Sequence, residues 1–226
     1  MSTRAQLRTR IRTEMDLLDE PGISDAEINY AIQEAMSVVG AKIRGLYEDY
    51  FLKRGTLDLV SGTADVSYPT DCFANKVRAL IYRNGSTRIF RIPRLKAMEQ
   101  YLEAELSAGN AIWSPETAKF IPMDSAMKLI PTPTESGTGV LVCWYIRDLD
   151  AMDADADLCD IPEWEHVVVA YAEDVIARNK PGLGDSTKTS SKLDAIMALM
   201  ESDLSNRSPD DDDFVPRDTS TYEEHS

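Results

Sequence analysis

The chain has 226 residues, 43% of them apolar, and a formal net charge of −15. That is long enough for one sizeable core, too apolar for a disordered chain, and too acidic for sequence-independent binding to nucleic acid. No apolar run reaches the roughly 18–20 residues of a membrane span. The opening MSTRAQLRTRIRTE lacks the apolar stretch of a signal peptide, so none is expected. Three scattered cysteines, Cys72, Cys143 and Cys159, fit a reducing compartment better than a disulfide framework.

Residues 3–18 are predicted as a first amphipathic helix, with Leu7, Ile11 and Leu18 on one face and Arg4, Arg8 and Arg12 lining another. Asp19-Glu20-Pro21-Gly22 ends it. Ser24 and Glu27 then form a capping box for a helix over 24–44, where Ile28, Ala31, Ile32, Ala35 and Val39 recur at helical spacing. The short connection implies an antiparallel pair. From Thr56 the apolar period becomes two. TLDLV and ADVSY flank Ser61-Gly62-Thr63 and read as a hairpin. KVRALIYR and STRIFRI flank Asn84-Gly85, the pair that a two-residue type I′ turn favours.

Pro93 is predicted to open a short helix reaching Leu106, with Met98, Tyr101, Leu102 and Leu106 as its apolar residues. AKFIPM and AMKLIP form a further hairpin around Asp124-Ser125, with Pro122 and Pro131 marking an edge or strand ends. GVLVCWYI reads as a central strand. An acidic loop follows, then the most strongly patterned helix, 162–180. Asp160 with Glu163 is expected to cap it, and Pro162 suits its first turn. Trp164, Val167, Val168, Tyr171 and Val175 make one apolar face, which contributes on the order of 10 kcal/mol before entropy is subtracted. A last helix, 190–204, carries Leu193, Ile196, Met197 and Met200. The stretch 205–226, with Asp210, Asp211, Asp212 and Asp213 in a row, is expected to be an acidic tail, disordered unless a partner orders it. The expected fold class is α+β: terminal amphipathic helices in a bundle around a central antiparallel β-hairpin region at 56–146. Residues 1–204 form one domain and 205–226 its tail.

Charge is unevenly spread. From Cys72 to Met98 there are seven basic residues, Arg83, Arg88, Arg91 and Arg94 among them, and no acid. From Asp148 to Glu165 there are eight acids, including Asp153, Asp155 and Asp157, and no lysine or arginine. Each run alone fits a solvated face; together they suggest complementary surfaces. Arg8, Arg12, Arg83, Arg88, Arg91, Arg94, Asp153, Asp155, Asp157, Asp211 and Asp212 are the candidate interface residues.

Signals for chemistry are sparse. Cys159 and His166 could in principle form a nucleophile and base, but no oxyanion motif accompanies them, and Cys159 also fits as a small buried hydrophobe near Trp164. Asp153-x-Asp155-x-Asp157 opens like a calcium loop, yet Leu158 stands where the sixth-position glycine belongs and Trp164 where the twelfth-position glutamate belongs. Closely spaced zinc ligands and phosphate-binding glycine motifs are missing. No catalytic residue, cofactor or metal is expected. The alternative is a small metal-dependent or Cys/His enzyme using Cys159, His166 and the 153–157 loop.

Several ordered segments nonetheless carry a resemblance. They are Leu7-Arg8-Thr9-Arg10-Ile11 followed by Ile23-Ser24-Asp25-Ala26-Glu27-Ile28-Asn29-Tyr30-Ala31; Val66-Ser67-Tyr68-Pro69-Thr70-Asp71-Cys72-Phe73 leading into KVRALIY; and Lys128-Leu129-Ile130-Pro131-Thr132-Pro133, then Trp144-Tyr145, then Asp160-Ile161-Pro162-Glu163-Trp164. In this order the chain resembles the head-to-tail adaptor (connector) proteins of short-tailed bacteriophages over roughly residues 3–204. The resemblance implies a structural virion protein at the neck, made in the host cytoplasm. It further implies a dodecameric ring under the portal protein that extends the DNA channel and offers a platform to nozzle, tail-tube and fibre proteins. Genome DNA would pass without specific binding, and no membrane or catalysis is involved.

Overall fold

The computed structural model describes residues 1–18, 22–85, 88–95, 98–108 and 112–207. The chain divides into two compact units, one of Met1–Tyr50 with Leu149–Ser226 and one of Phe51–Asp148. The first is helical and the second is built of antiparallel sheets, so the protein is α+β. The expected acidic tail, including Asp211 and Asp212, lies outside the described residues from 208 on.

In the helical unit, α1 (Arg4–Glu14) starts at a capping box between Thr3 and Gln6. It stops four residues short of the predicted end. Asp16 takes a left-handed backbone (φ 58°), which turns the chain away from the helix axis. Leu17 is therefore buried, and Leu18, predicted to lie on the apolar face, is 60% exposed. Helix α2 (Asp25–Leu46) has the expected Ser24–Glu27 box, and all five apolar positions of its predicted stripe are buried.

Helix α4 (Glu165–Asn179) departs most from expectation. A 3-10 turn, Pro162–Trp164, leads into it, and neither start carries a side-chain cap. The Asp160 carboxylate instead accepts a hydrogen bond from the Asp150 amide (3.1 Å). Nor is the helix apolar on one face only. Val167 to Ala170 and Ala172 to Ala177 are all buried, Glu173 and Asp174 included, and α1, α2 and α5 pack around it. Helix α5 (Ser186–Arg207) begins earlier than predicted, because Asp185 Oδ1 accepts from the amides of Thr187 and Lys188 (3.0 and 3.3 Å). Leu193, Met200 and Leu204 anchor it.

The sheet unit holds β1 (Leu52–Leu59), β2 (Asp65–Ser67), β3 (Cys72–Asn84), β4 (Arg88–Ile92), α3 (Met98–Ala108), β5 (Lys119–Pro122), β6 (Ala126–Ile130) and β7 (Gly137–Arg147). One sheet has the order β1-β7-β3-β4 and the other β2-β6-β5. As expected, β7 is central, and Pro122 lies on an edge strand. The predicted β1–β2 hairpin does not form a ladder. Gly62 makes the turn with φ 78°, but β1 pairs with β7 and β2 with β6. The β3–β4 hairpin forms with Asn84 paired to Arg88, so Asn84 belongs to the ladder rather than to a two-residue turn with Gly85. The helix predicted from Pro93 does not take in residues 93–95, because Phe120 and that segment exchange two backbone hydrogen bonds (3.0 and 2.8 Å), and α3 is described from Met98. Of its predicted apolar side chains, Tyr101 is buried, while Leu102 and Leu106 are exposed. The two sheets close on one core that includes Leu80, Tyr82, Phe120, Met127, Leu141 and Tyr145.

Candidate interaction surfaces

The acidic loop clasps the start of α1. The amides of Arg4 and Ala5, first-turn donors with no partner inside the helix, reach the carbonyls of Asp157 and Asp155 (3.0 and 3.2 Å). The Cys159 amide donates to the Ser2 carbonyl (2.9 Å). Side chains strengthen the clasp. Arg8 grips both Asp155 oxygens (3.0 and 3.1 Å), and Arg4 Nη2 reaches Oδ1 at 2.9 Å. The Arg8 hydrogen bonds, followed by those of Arg4, hold the Asp155 carboxyl down at about 2. Arg12 bonds Asp25 Oδ1 (2.8 Å) and the carbonyls of Leu17 and Ile23 (3.2 and 3.1 Å). The candidates Arg8, Arg12 and Asp155 are thus joined to partners within their own chain.

Asp153 accepts from Gln33 Nε2 (3.2 Å), and Asp157 Oδ2 from the Ala154 amide (2.6 Å). The three aspartates of the calcium-like run therefore face three different partners. Among the described residues no three acidic, His or Cys side chains are placed to hold a metal. Cys159 is fully buried against Met36 (Sγ to Sδ 3.7 Å), and burial pushes its thiol up to about 11. That is the opposite of an activated nucleophile. His166 is exposed, its ring tilted 5.9 Å from that of Trp164.

In the sheet unit Arg88 stays near home, 3.8 Å from Glu135 and over the Tyr82 ring at 5.8 Å. Arg94 Nη1 donates to the Val77 carbonyl at 3.5 Å. Arg83 and Arg91 are exposed and have no ion-pair partner among the described residues.

Sequence reasoning missed three features of these surfaces. The Thr3-x-x-Gln6 box was readable as a short motif. The Arg4/Arg8 clasp on Asp155 spans about 150 residues and has no local signal. The third is an ion cluster at the centre of the helical unit. Lys192 joins Glu14 (2.8 Å) to the buried Glu173 (2.7 Å), and Asp174 meets Arg178 (2.6 Å) and Ser190 (2.6 Å).

Large apolar side chains remain outside the core of the helical unit. Tyr30 is 66% and Leu199 72% exposed. A shallow hollow near Tyr30 is lined by Ile23, Ala31, Val175 and Ile176, with Lys180 at its border. No helix among the described residues is long and apolar enough to cross a membrane. Charged groups are locked into intrachain struts, while apolar and basic patches are left open to other molecules. A family model described as SU10 adaptor protein matches residues 2–217, and the chain belongs to that family. It is a bacteriophage structural adaptor, the class to which the sequence resemblance pointed. No curated protein matches it.

Proposed function

We propose that the protein is the head-to-tail adaptor of a tailed-phage virion. Made in the host cytoplasm, it docks by its helical unit under the portal protein and assembles there as a ring, twelve copies in the reading drawn from the resemblance. The ring extends the DNA channel and gives nozzle, tail-tube and fibre proteins their platform. The near full-length family match carries this reading. The exposed Tyr30 and Leu199, on a unit whose own core is complete, support the helical unit as the docking side. A net charge of −15 suits a channel that DNA slides through without sticking.

Docking has to be separated from folding. Removing residues from 188 onward would delete core residues Leu193, Met200 and Leu204, so truncation does not make the distinction. The surface variants Tyr30→Asp and Leu199→Asp do. Both should melt like the parent, because neither side chain is core, yet attach poorly to purified portals in electron micrographs. Parental attachment by the double variant would remove the helical unit as the docking side. In a gel-shift experiment at physiological salt the protein should leave duplex DNA unretarded, and clear retardation would contradict free passage of the genome.

A further inference from the structure

One face of the β3–β4 hairpin is built to receive something. Ile81 pairs with Arg91 and Arg83 with Ile89. Side chains alternate across a strand, so these four share the face opposite the core pairs Leu80–Ile92 and Tyr82–Phe90. Ile89 is 52% exposed, and the guanidinium groups of Arg83 and Arg91 are unpaired among the described residues. Strand β4 also ends its sheet, with no strand on its outer side among the described residues. Like charges along such an edge discourage pairing with an identical strand. An extended segment that is acidic and then apolar would satisfy both halves of the face.

The acidic loop does not supply that segment, because Asp155, Asp153 and Asp157 are held by Arg4, Arg8, Gln33 and the Ala154 amide. Another stretch has the required composition. Asp210-Asp211-Asp212-Asp213-Phe214-Val215 follows shortly after α5, and the family match extends past it to residue 217. We propose that Asp210–Val215 of one copy docks on the Ile81, Arg83, Ile89 and Arg91 face of a second copy. Its carboxylates meet the two guanidinium groups, and Phe214 covers the isoleucines. The assignment to a second copy rests on the ring reading. Donor segment and acceptor face differ, so the contact is heterologous, the kind of contact that makes a ring when its rotation closes.

The test uses the full chain. A fluorescent peptide of residues 207–217 is titrated into dilute protein at low salt and read by anisotropy. Saturable binding is expected. It should weaken by about tenfold or more with Arg83→Glu/Arg91→Glu protein, and likewise with a peptide in which the four aspartates are asparagine. Phe214→Ser in the peptide should also weaken it. Equal binding of a scrambled peptide, or undiminished binding to the arginine variant, overturns the proposal. A third outcome overturns the second-copy assignment: no binding to the wild-type chain, but binding once the chain's own Asp210–Asp213 are asparagine, which would place the segment on its own chain. Ring formation is counted separately, on purified portals by electron microscopy, so a failed ring and a failed docking give different results.

Discussion

In the helical unit two carboxylates, Glu173 and Asp174, lie only 3% exposed within α4, whereas among the described residues of the sheet unit no charged side chain is buried. The sheet unit closes two apolar faces on each other and leaves Arg83 and Arg91 at the surface. The helical unit gathers Glu14, Glu173, Asp174, Arg178 and Lys192 around its central helix. The contrast follows from geometry. A strand offers alternate residues to the core and leaves the others free for solvent. A helix surrounded on several sides has no such free face, so its polar residues must find partners inside. The buried charge of the first unit is thus paired between its own helices, and in the second Arg83 and Arg91 remain available to other molecules.

The largest expected effects come from removing the core of either unit. Trp164 is 7% exposed and Phe120 is 1% exposed. Replacing either by alanine should cost roughly 3–5 kcal/mol. Urea unfolding followed by near-ultraviolet dichroism and by proteolysis would show whether each loss is confined to its own unit. A nearly silent Trp164→Ala would break the description of α4 as the centre of the helical unit.

Glu173→Gln addresses the buried charge directly. Burial raises the Glu173 carboxyl above 4.5, and its Oε1 atom has no hydrogen-bond partner among the described residues. Burial also works against the Glu14 charge, but hydrogen bonds from Lys192 and Arg10 outweigh it and hold that group at about 2. Because the folded value of Glu173 lies above the unfolded one, its stabilisation is complete below pH 4.5 and is lost as the pH climbs through the raised value. The glutamine variant should therefore match or exceed the parent in stability at pH 7 and show a flatter slope above pH 4.5. A clear loss of stability at pH 7 would mean that the charged bond to Lys192 outweighs burial.

Asp155→Asn tests the clasp on α1, with the opposite sign. Its carboxyl is depressed from 3.8 to about 2, so its contribution is present above pH 3.8 and fades as the pH falls toward 2. The variant should melt below the parent at pH 7 and converge with it by pH 2. Parallel melting curves across that range would reduce the clasp to a surface contact without consequence. The smallest effect is expected from Arg83→Glu/Arg91→Glu, whose folding stability should stay within about 0.5 kcal/mol of the parent. A large loss would mean that the basic face belongs to the core.

What could be read from the sequence was local. The Ser24–Glu27 box, the β3–β4 and β5–β6 hairpins and the central place of β7 each rest on neighbouring residues, and each is found. The β1–β7 and β2–β6 ladders were not legible, because they join segments about 60 to 90 residues apart with no turn to announce them. The all-round burial of α4 was hidden by Glu173 and Asp174, which composition alone assigns to solvent. Arg8 and Asp155 were both singled out as interface residues, and only the fold brings them to each other. Asp211 and Asp212 lie outside the described residues.

The clasp between residues 2–5 and 155–159 can close only after the sheet unit between them has been made. The sheet unit is continuous in sequence, so everything it needs has left the ribosome soon after Asp148 is added. The helical unit is split around it. Helices α1 and α2 emerge first but gain α4 and α5 only after the whole sheet unit has been made. Until then their apolar faces, Leu7, Ile11, Ile28 and Ile32 among them, have only each other for cover. Meanwhile the Arg8 and Arg12 pairs with Asp25 join those two helices to each other, and the rest of the cover over their apolar faces is added only after the sheet unit has been made.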